Sequence, residues 1–359
     1  MAKKKKQNSE EAFREALLMV APGSLFREAL SAIIQAGTGG LLCFGDPKRL
    51  MDLSEGGVIL DEEVSPQILY ELSKMDGAII LNREGTRIFA ANRFLKPDPK
   101  IHSVETGTRH RTAQRLATQA KCMVIAVSQR RSSVTLYVHD KRHVLDSIST
   151  LVNKAMQAVQ TLEKYMNVLR QAMQDLTTRE FQDVVTIFDV CKAIQRTEMV
   201  VRISREIEPY ILELGTEGRL IELQMQELLL PIEEAKLVVK DYFREKNASY
   251  DSVQERIANI SQQDLLSLGS ISQALGYGPN LRSIDTYLSP RGYRVLTATH
   301  RIPPPIIESL IERFATLQQI VRAPKDELVS VEGVGEVLAE RVRVSLNLLR
   351  NQLALDDRL

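Results

Sequence analysis

An apolar seam in the middle of the chain limits its fold more than any other feature. Ile148, Val152, Ala155, Val159, Leu162, Met166, Leu169, Met173 and Leu176 recur at alternating spacings of four and three, with no proline or glycine among them. That spacing holds one stripe of a helix on a continuous line, the pattern of a heptad repeat. A helix of ~30 residues is ~45 Å long, enough to separate two working ends. Methionines at this spacing fill gaps between packed side chains, so Met166 and Met173 are assigned to packing.

Ahead of the rod the periods are mixed. Glu10 to Val20 makes an amphipathic helix with Phe13, Ala16, Leu17 and Val20 on one face; Pro22-Gly23 ends it, and Ser24 caps a second helix through Ile34. Gly37 to Gly40 launches Leu41-Leu42-Cys43-Phe44, a run suited to a buried strand. Residues 58–60, 78–81, 87–91, 123–127 and 134–138 are further strand candidates, with helices at Ser65 to Lys74 and Thr112 to Gln119. Strands interleaved with helices predict an α/β layer structure. No Gly-rich P-loop or dinucleotide fingerprint is present, so a nucleotide site here is built another way.

Two short stretches carry chemistry. Gly107-Thr108-Arg109-His110-Arg111-Thr112 sets two guanidiniums, an imidazole and two hydroxyls behind a glycine. Arginine forks match phosphate oxygens in pairs, and the hydroxyls add donors, so the cluster suits a polyphosphate. Alone it is weak evidence, and a solvated basic loop at the head of a helix starting at Thr112 accounts for it more simply. Upstream, Asp76-Gly77 stands at the mouth of the apolar run Ala78 to Leu81; an ordinary turn would account for that pair by itself.

Asp-Gly-Ala at 76–78 followed by Gly-Thr-Arg-His-Arg at 107–111 resembles the diadenylate cyclase domain. Gly39-Gly40-Leu41-Leu42, Val64-Ser65-Pro66, Ala91-Asn92-Arg93-Phe94-Leu95 and Val127-Ser128-Gln129-Arg130-Arg131 agree. With the C-terminal segment, nearly the whole chain resembles the bacterial DNA-integrity scanning family. The resemblance implies that two ATP molecules condense to cyclic di-AMP with release of two pyrophosphates. It implies Asp76 as the ligand of Mg²⁺ or Mn²⁺ or the hydroxyl activator, and Gly77 as the point of close backbone access. Arg109 and Arg111 would hold phosphates, His110 and Thr108 add donors, Thr112 or Ser128 complete the cradle, and Leu95 line the adenine pocket. A two-fold symmetric product from two identical substrates suggests facing domains in a homo-oligomer, an octamer by resemblance. One position departs: the family commonly has an acidic residue after Ser128, and this chain has Gln129.

Beyond the seam, helices are expected from Thr178 to Leu214 and from Arg219 to Lys246, with Pro231 starting a new helix or kinking the old one. Asp251 to Gly269 completes a helical middle that carries no chemistry of its own. The last segment begins near Ser283. Its run Leu328 to Val342 resembles a helix-hairpin-helix, in which Gly333-Val334-Gly335 lets the turn lie against a DNA phosphate while the next helix directs its first amides at the anion. Packing as a plain αα-hairpin is the alternative. From Arg282 to Arg350 ten Lys/Arg face eight Asp/Glu, so binding to DNA, branched DNA by resemblance, is expected to be modest in strength. Ile302-Pro303-Pro304-Pro305 stands where a first hairpin would be and lacks the Gly-apolar-Gly signature.

At 359 residues the chain exceeds one ordinary core. The predicted class is multidomain α/β plus all-α: a cyclase domain with a central mixed sheet at 1–147, a helical spine at 148–282 and a helix-hairpin-helix domain at 283–359. Net charge is +1, so any basic surface is local. Cys43, Cys122 and Cys191 lie far apart without metal-ligand spacing and read as reduced packing residues of a cytosolic protein. No apolar run approaches the ~20 residues of a membrane span, and Lys3 to Lys6 leads into polar residues and is expected to be disordered. The chain is expected in the cytoplasm, at the nucleoid. Two other classes compete: a DNA-binding protein that only senses a nucleotide, and a structural scaffold around the spine. Asp76 together with the full Arg109-His110-Arg111 set argues against the first, and the paired motifs argue against the second.

Overall fold

The computed structural model describes residues 2–244, 248–279, 285–299 and 302–356. Two compact units divide the chain, Met1–Gln157 with Glu206–Leu223, and Ala158–Arg205 with Gln224–Leu359.

In the first unit the order is α1 (Ala2–Met19), α2 (Leu25–Gln35), β1 (Gly40–Phe44), α3 (Pro47–Asp52), β2 (Ser54–Glu55), β3 (Val58–Glu63), α4 (Pro66–Ser73), β4 (Ala78–Leu81), β5 (Arg87–Leu95), α5 (Thr108–Ala120), β6 (Met123–Ser128), β7 (Ser133–Val138) and β8 (Lys141–Val144). The sheet runs β2-β5-β4-β1-β6-β7-β8, with β3 also paired to β5. β1 and β4 are parallel and the other described pairs antiparallel, which makes the sheet mixed as expected. Successive side chains of a strand face opposite sides. Leu42, Phe44, Ile79, Leu81, Ile125 and Val127 therefore pack under α1, α2 and α4 with Leu17, Leu30 and Leu69. Leu41, Cys43, Ile80, Val124 and Ala126 pack under α5 with Ala113, Leu116 and Ala117. Burial on both faces is why β1, β4 and β6 are unbroken apolar runs. Ser24 and Ser65 cap α2 and α4 by accepting from Arg27 N at 3.1 Å and Ile68 N at 3.2 Å.

Several expected bounds move. Helix α1 continues through Lys3–Lys6, and the strand expected at 87–91 runs to Leu95. Strands β2 and β8 are additional. Helix α5 begins at Thr108, with Gly107 as its N-cap, so the Arg-His-Arg motif is its first turn and not a loop before it.

Helix α6 (Ile148–Gln182) carries the seam. Ala155, Val159, Leu162, Met166, Leu169 and Leu176 are buried, but Leu151 takes the first position; Ile148 is exposed, and Val152 and Met173 are half-buried. The helix expected from Thr178 to Leu214 is interrupted. Asp183 adopts a left-handed φ of 63°, and α7 (Ile187–Leu214) starts afresh after Thr186, whose N–H and hydroxyl both donate to Asp189 Oδ2. The division between units falls inside α6, inside α7 and again between Leu223 and Gln224. Next come α8 (Arg219–Leu229) and α9 (Ile232–Tyr242), separated at Pro231 as expected; Lys246 lies outside the described residues. After α10 (Tyr250–Ala258) and α11 (Leu268–Ala274), the expected 282/283 boundary also lies outside them. Short helices follow at Tyr293–Ala298, Pro304–Phe314, Leu317–Arg322 and Lys325–Val329, then a longer one at Glu336–Asp356. The buried Asp241 carboxylate caps the first of these from a distance, accepting from Gly292 N, Tyr293 N and Arg294 N at 2.7, 2.6 and 3.0 Å. Arg294 in turn pairs with buried Glu180, which also accepts from the Tyr242 hydroxyl at 2.8 Å.

Candidate active site

Sheet topology alone gathers the sequence motifs. β1 and β4 run parallel, so Gly39-Gly40 and Asp76-Gly77 open onto the same edge. β5 is antiparallel to β4 and β6 to β1, so Leu95 and Ser128 end there. Helix α5 starts there too, because a Cβ on Gly39 would lie 2.0 Å from Arg109 Nη1 and 3.2 Å from the Val127 carbonyl oxygen. The Arg109 guanidinium therefore rests over Gly39, a place that only a glycine leaves free.

Asp76 sits in the bend between α4 and β4. The next residue is clamped: a Cβ on Gly77 would lie 2.2 Å from the Asn92 carbonyl carbon. Asn92 itself has a φ of 54°, beside the irregular register of β4 on β5. This backbone-on-backbone contact fixes where Asp76 projects. Its carboxylate is exposed and, among the described residues, has no hydrogen-bond or ion-pair partner.

The first turn of α5 supplies the opposite charge. Gly107 provides no side-chain cap, and the first amide to bond back is Arg111 N, to the Gly107 carbonyl at 2.9 Å. The amides of Thr108, Arg109 and His110 are left for an anion, where the helix dipole adds to the attraction. The two arginines diverge. Arg111 donates to the carbonyls of Glu105 and Thr106 at 3.2 and 3.0 Å and ties down the preceding loop, unlike Arg109.

His110 is half-buried and tied to groups that sequence reasoning missed. Its Nδ1 lies 3.0 Å from the Tyr137 hydroxyl, which is 2.7 Å from Glu105 Oε1; Arg142 Nε donates to that same oxygen at 2.5 Å. Burial works to raise the Glu105 carboxyl, but Arg142 and Tyr137 outweigh it and hold it below the usual range. Burial and Glu105 push the Tyr137 phenol far up, so it stays protonated. Ser128 is half-buried, its Oγ accepting from Arg131 N at 3.3 Å, while Gln129, Arg130 and Arg131 are exposed. Thr108 is exposed, Thr112 half-buried and Leu95 buried in the core under α5.

Among the described residues, no three His, Cys, Asp or Glu side chains gather around a metal position. Mg²⁺ or Mn²⁺ fits in one way, with the unpartnered Asp76 carboxylate as a hard oxygen ligand and substrate phosphates completing the shell, as these ions prefer.

At the other end of the chain, Gly333 has a φ of +82° and a Cβ there would meet Ile306 Cδ1 at 2.6 Å. Val334 is buried, and nothing stands within 4 Å of a Cβ on Gly335. The helix Glu336–Asp356 begins directly after this turn.

Comparison with known proteins places the chain in a family. Residues 27–142 match the family model described as DisA bacterial checkpoint controller nucleotide-binding, and residues 145–284 match the DisA bacterial checkpoint controller linker region. Over 94% of its length the chain is 48% identical to 96% of the DNA integrity scanning protein DisA of Carboxydothermus hydrogenoformans. Identity is 46% over 98% of this chain and 99% of its counterpart in Clostridium perfringens, and 45% over 94% of each in Bacillus mycoides. The nucleotide-binding domain matched at residues 27–142 is that of a diadenylate cyclase. Among such enzymes the chain belongs to the DNA integrity scanning protein DisA family. No described helix is long and apolar enough to cross a membrane.

Proposed function

We propose that the chain condenses two ATP into cyclic di-AMP at the sheet edge formed by Asp76-Gly77, Gly39 and the first turn of α5. The observation that carries this is the convergence there of an unpartnered carboxylate with Arg109 and three unbonded helix amides. A triphosphate seated on those amides and Arg109 exposes its α-phosphorus to a 3′-hydroxyl, and pyrophosphate leaves. Phosphoryl-type transfer is mainly positioning and charge neutralisation. Arg109 and the amides do both for the phosphates. His110 and Thr108 add donors, Thr112 and Ser128 complete the cradle, and Leu95 bounds the adenine. Asp76 would hold Mg²⁺ or Mn²⁺, which when bound offsets triphosphate charge and polarises the reacting phosphorus. Gln129 leaves Asp76 as the acidic ligand from this edge.

The 3′-hydroxyl comes from the second nucleotide, so a facing copy completes each site; an octamer is the assembly the family resemblance suggests. Residues 1–147 form the cyclase, 148–282 the spine and 283–359 the DNA-binding part. There Gly333-Val334-Gly335 presents helix amides to backbone phosphates. Several such hairpins on one oligomer suit the arms of branched DNA. A DNA structure that binds two states of the cyclase unequally would shift its output, by roughly five- to 150-fold for a typical coupling energy.

The test is incubation with ATP and Mn²⁺ and detection of cyclic di-AMP. Asp76→Asn should abolish product while ATP binding survives. Bound ATP without product in the wild-type chain would instead indicate a sensor.

A further inference from the structure

Tyr137 is buried in β7, yet its single hydroxyl meets both His110 Nδ1 and Glu105 Oε1. Counting protons gives each bond a direction. Ionised Glu105 can only accept, and it accepts from Tyr137 and from Arg142 on the same oxygen. The one phenol proton is thus committed to Glu105, and the phenol oxygen faces His110 with lone pairs. Nδ1 must carry a hydrogen to meet it. A neutral His110 then has a bare lone pair on Nε2, and a phosphate oxygen, itself an acceptor, finds no donor there.

We propose that Glu105 and Tyr137 are positioning residues that hold His110 in the Nδ1–H tautomer, so that Nε2 gains its proton only as the triphosphate arrives and ATP binding takes up a proton. The inference deepens the reading of the α5 first turn as the phosphate site and rests on it. The charged groups around His110 come from every neighbouring element: Arg109 on α5, Glu105 on the loop before it, Arg142 on β8 and Arg131 in the turn after β6. Burial, first of all, lowers the imidazole below its usual range; Glu105 opposes this, and the three arginines reinforce it. The free ring is accordingly neutral near pH 7. An incoming triphosphate reverses the local charge and favours the imidazolium. The proton comes from solvent, Nε2–H then donates a charge-assisted bond to a phosphate oxygen, and the proton returns to solvent when the phosphates depart.

Substitutions separate this from a purely structural network. Glu105→Gln keeps an oxygen that accepts from both Tyr137 and Arg142, so the tautomer should persist. Glu105→Ala frees the phenol proton to turn onto Nδ1, which moves the imidazole hydrogen to Nε2. Tyr137→Phe removes the acceptor for Nδ1–H altogether. Heteronuclear NMR of the imidazole nitrogens in the free protein, assigned with His110→Gln, reads the tautomer directly. Calorimetry with Mg²⁺ and 3′-deoxy-ATP, which lacks the attacking hydroxyl and so cannot condense, in two buffers of different ionisation heat counts the protons. At about pH 7 the wild type and Glu105→Gln should take up at least about half a proton per nucleotide beyond the His110→Gln baseline, with affinity falling up to about tenfold per pH unit above the free-ring pKa. Glu105→Ala and Tyr137→Phe should lose that uptake while still binding. An Nε2–H tautomer in the free wild-type protein, or nucleotide binding without uptake, overturns the proposal. If 3′-deoxy-ATP does not bind at all, the phosphate-site reading itself falls, and the coupling with it.

Discussion

A hydrogen is all that Gly77 can carry. A methyl there would enter the backbone at Asn92, and overpacking of that kind costs about 1–3 kcal/mol. Gly77→Ala should lower the melting temperature and depress cyclic di-AMP formation further than the stability loss explains, because the displaced bend carries Asp76. Thermal melts paired with turnover at a temperature where the variant is folded would check this. Arg109 and Arg111 should also separate. Arg109→Ala should weaken ATP binding about tenfold or more, the scale of a lost charge-assisted contact. Arg111→Ala should first loosen the loop at 105–107 it ties down, seen as faster hydrogen exchange there. The residues that meet at this edge stood out in the sequence, as an Asp-Gly pair at 76–77 and an Arg-His-Arg run at 109–111. Their division of labour did not. Tyr137 lies 32 residues from Glu105 and 27 from His110, and no local pattern marks a tyrosine in an apolar strand as the link between them.

Helix α5 shows why the rest stayed hidden. Its first turn has no acidic residue and no side-chain cap, so it lacks the usual signals of a helix start. A turn lined with cations at the positive end of a helix is locally unfavourable, a cost that a bound phosphate, as proposed, would offset. Strand β8, Lys-Arg-His-Val, pairs with β7, but three of its four residues are polar, with Arg142 on Glu105 and His143 on Glu213, so no apolar alternation marks it in the sequence. The helix Tyr293–Ala298 likewise depends on a distant cap. Burial, then Glu180, pushes the Asp241 carboxyl up to about 6 from an ordinary 3.8. A carboxyl whose folded pKa lies above its unfolded value adds stability as pH falls from about 6 towards 4 and loses it as pH rises through 6. Asp241→Asn places an amide against N–H donors and should cost roughly 1–3 kcal/mol. The gap to wild type should widen between pH 7 and pH 4, because only the wild type gains there. Urea unfolding across that range tests both the sign and the size.

On the scale of the whole chain, the fold class was legible because short apolar runs, helical periods of 3.6 and the heptad occupy different stretches. The proposed DNA hairpin makes a prediction that its two glycines share unequally. Gly335→Leu fills open space and should reduce DNA affinity about tenfold, the equivalent of one or two charge-assisted bonds, leaving basal synthesis intact. Gly333→Leu would also strain a positive φ and strike Ile306, so it should destabilise the fold as well. Filter binding at several salt concentrations, beside melting curves, distinguishes the two. Less legible was the return of Glu206–Leu223 to the first unit. Glu213 accepts from Asp146 N and pairs with His143, 70 residues earlier, while the Thr216 hydroxyl donates to the Pro22 carbonyl across 194 residues. That return has a consequence in time. During synthesis at about 5–20 residues per second, roughly 4–15 s separate the appearance of His143 from that of Thr216. Throughout that interval the strands of the cyclase sheet have been synthesised, but the segment that bonds to Pro22 and His143 has not. A ribosome pausing between those codons would hold the enzyme open to chaperones, proteases and its own neighbours on the polysome.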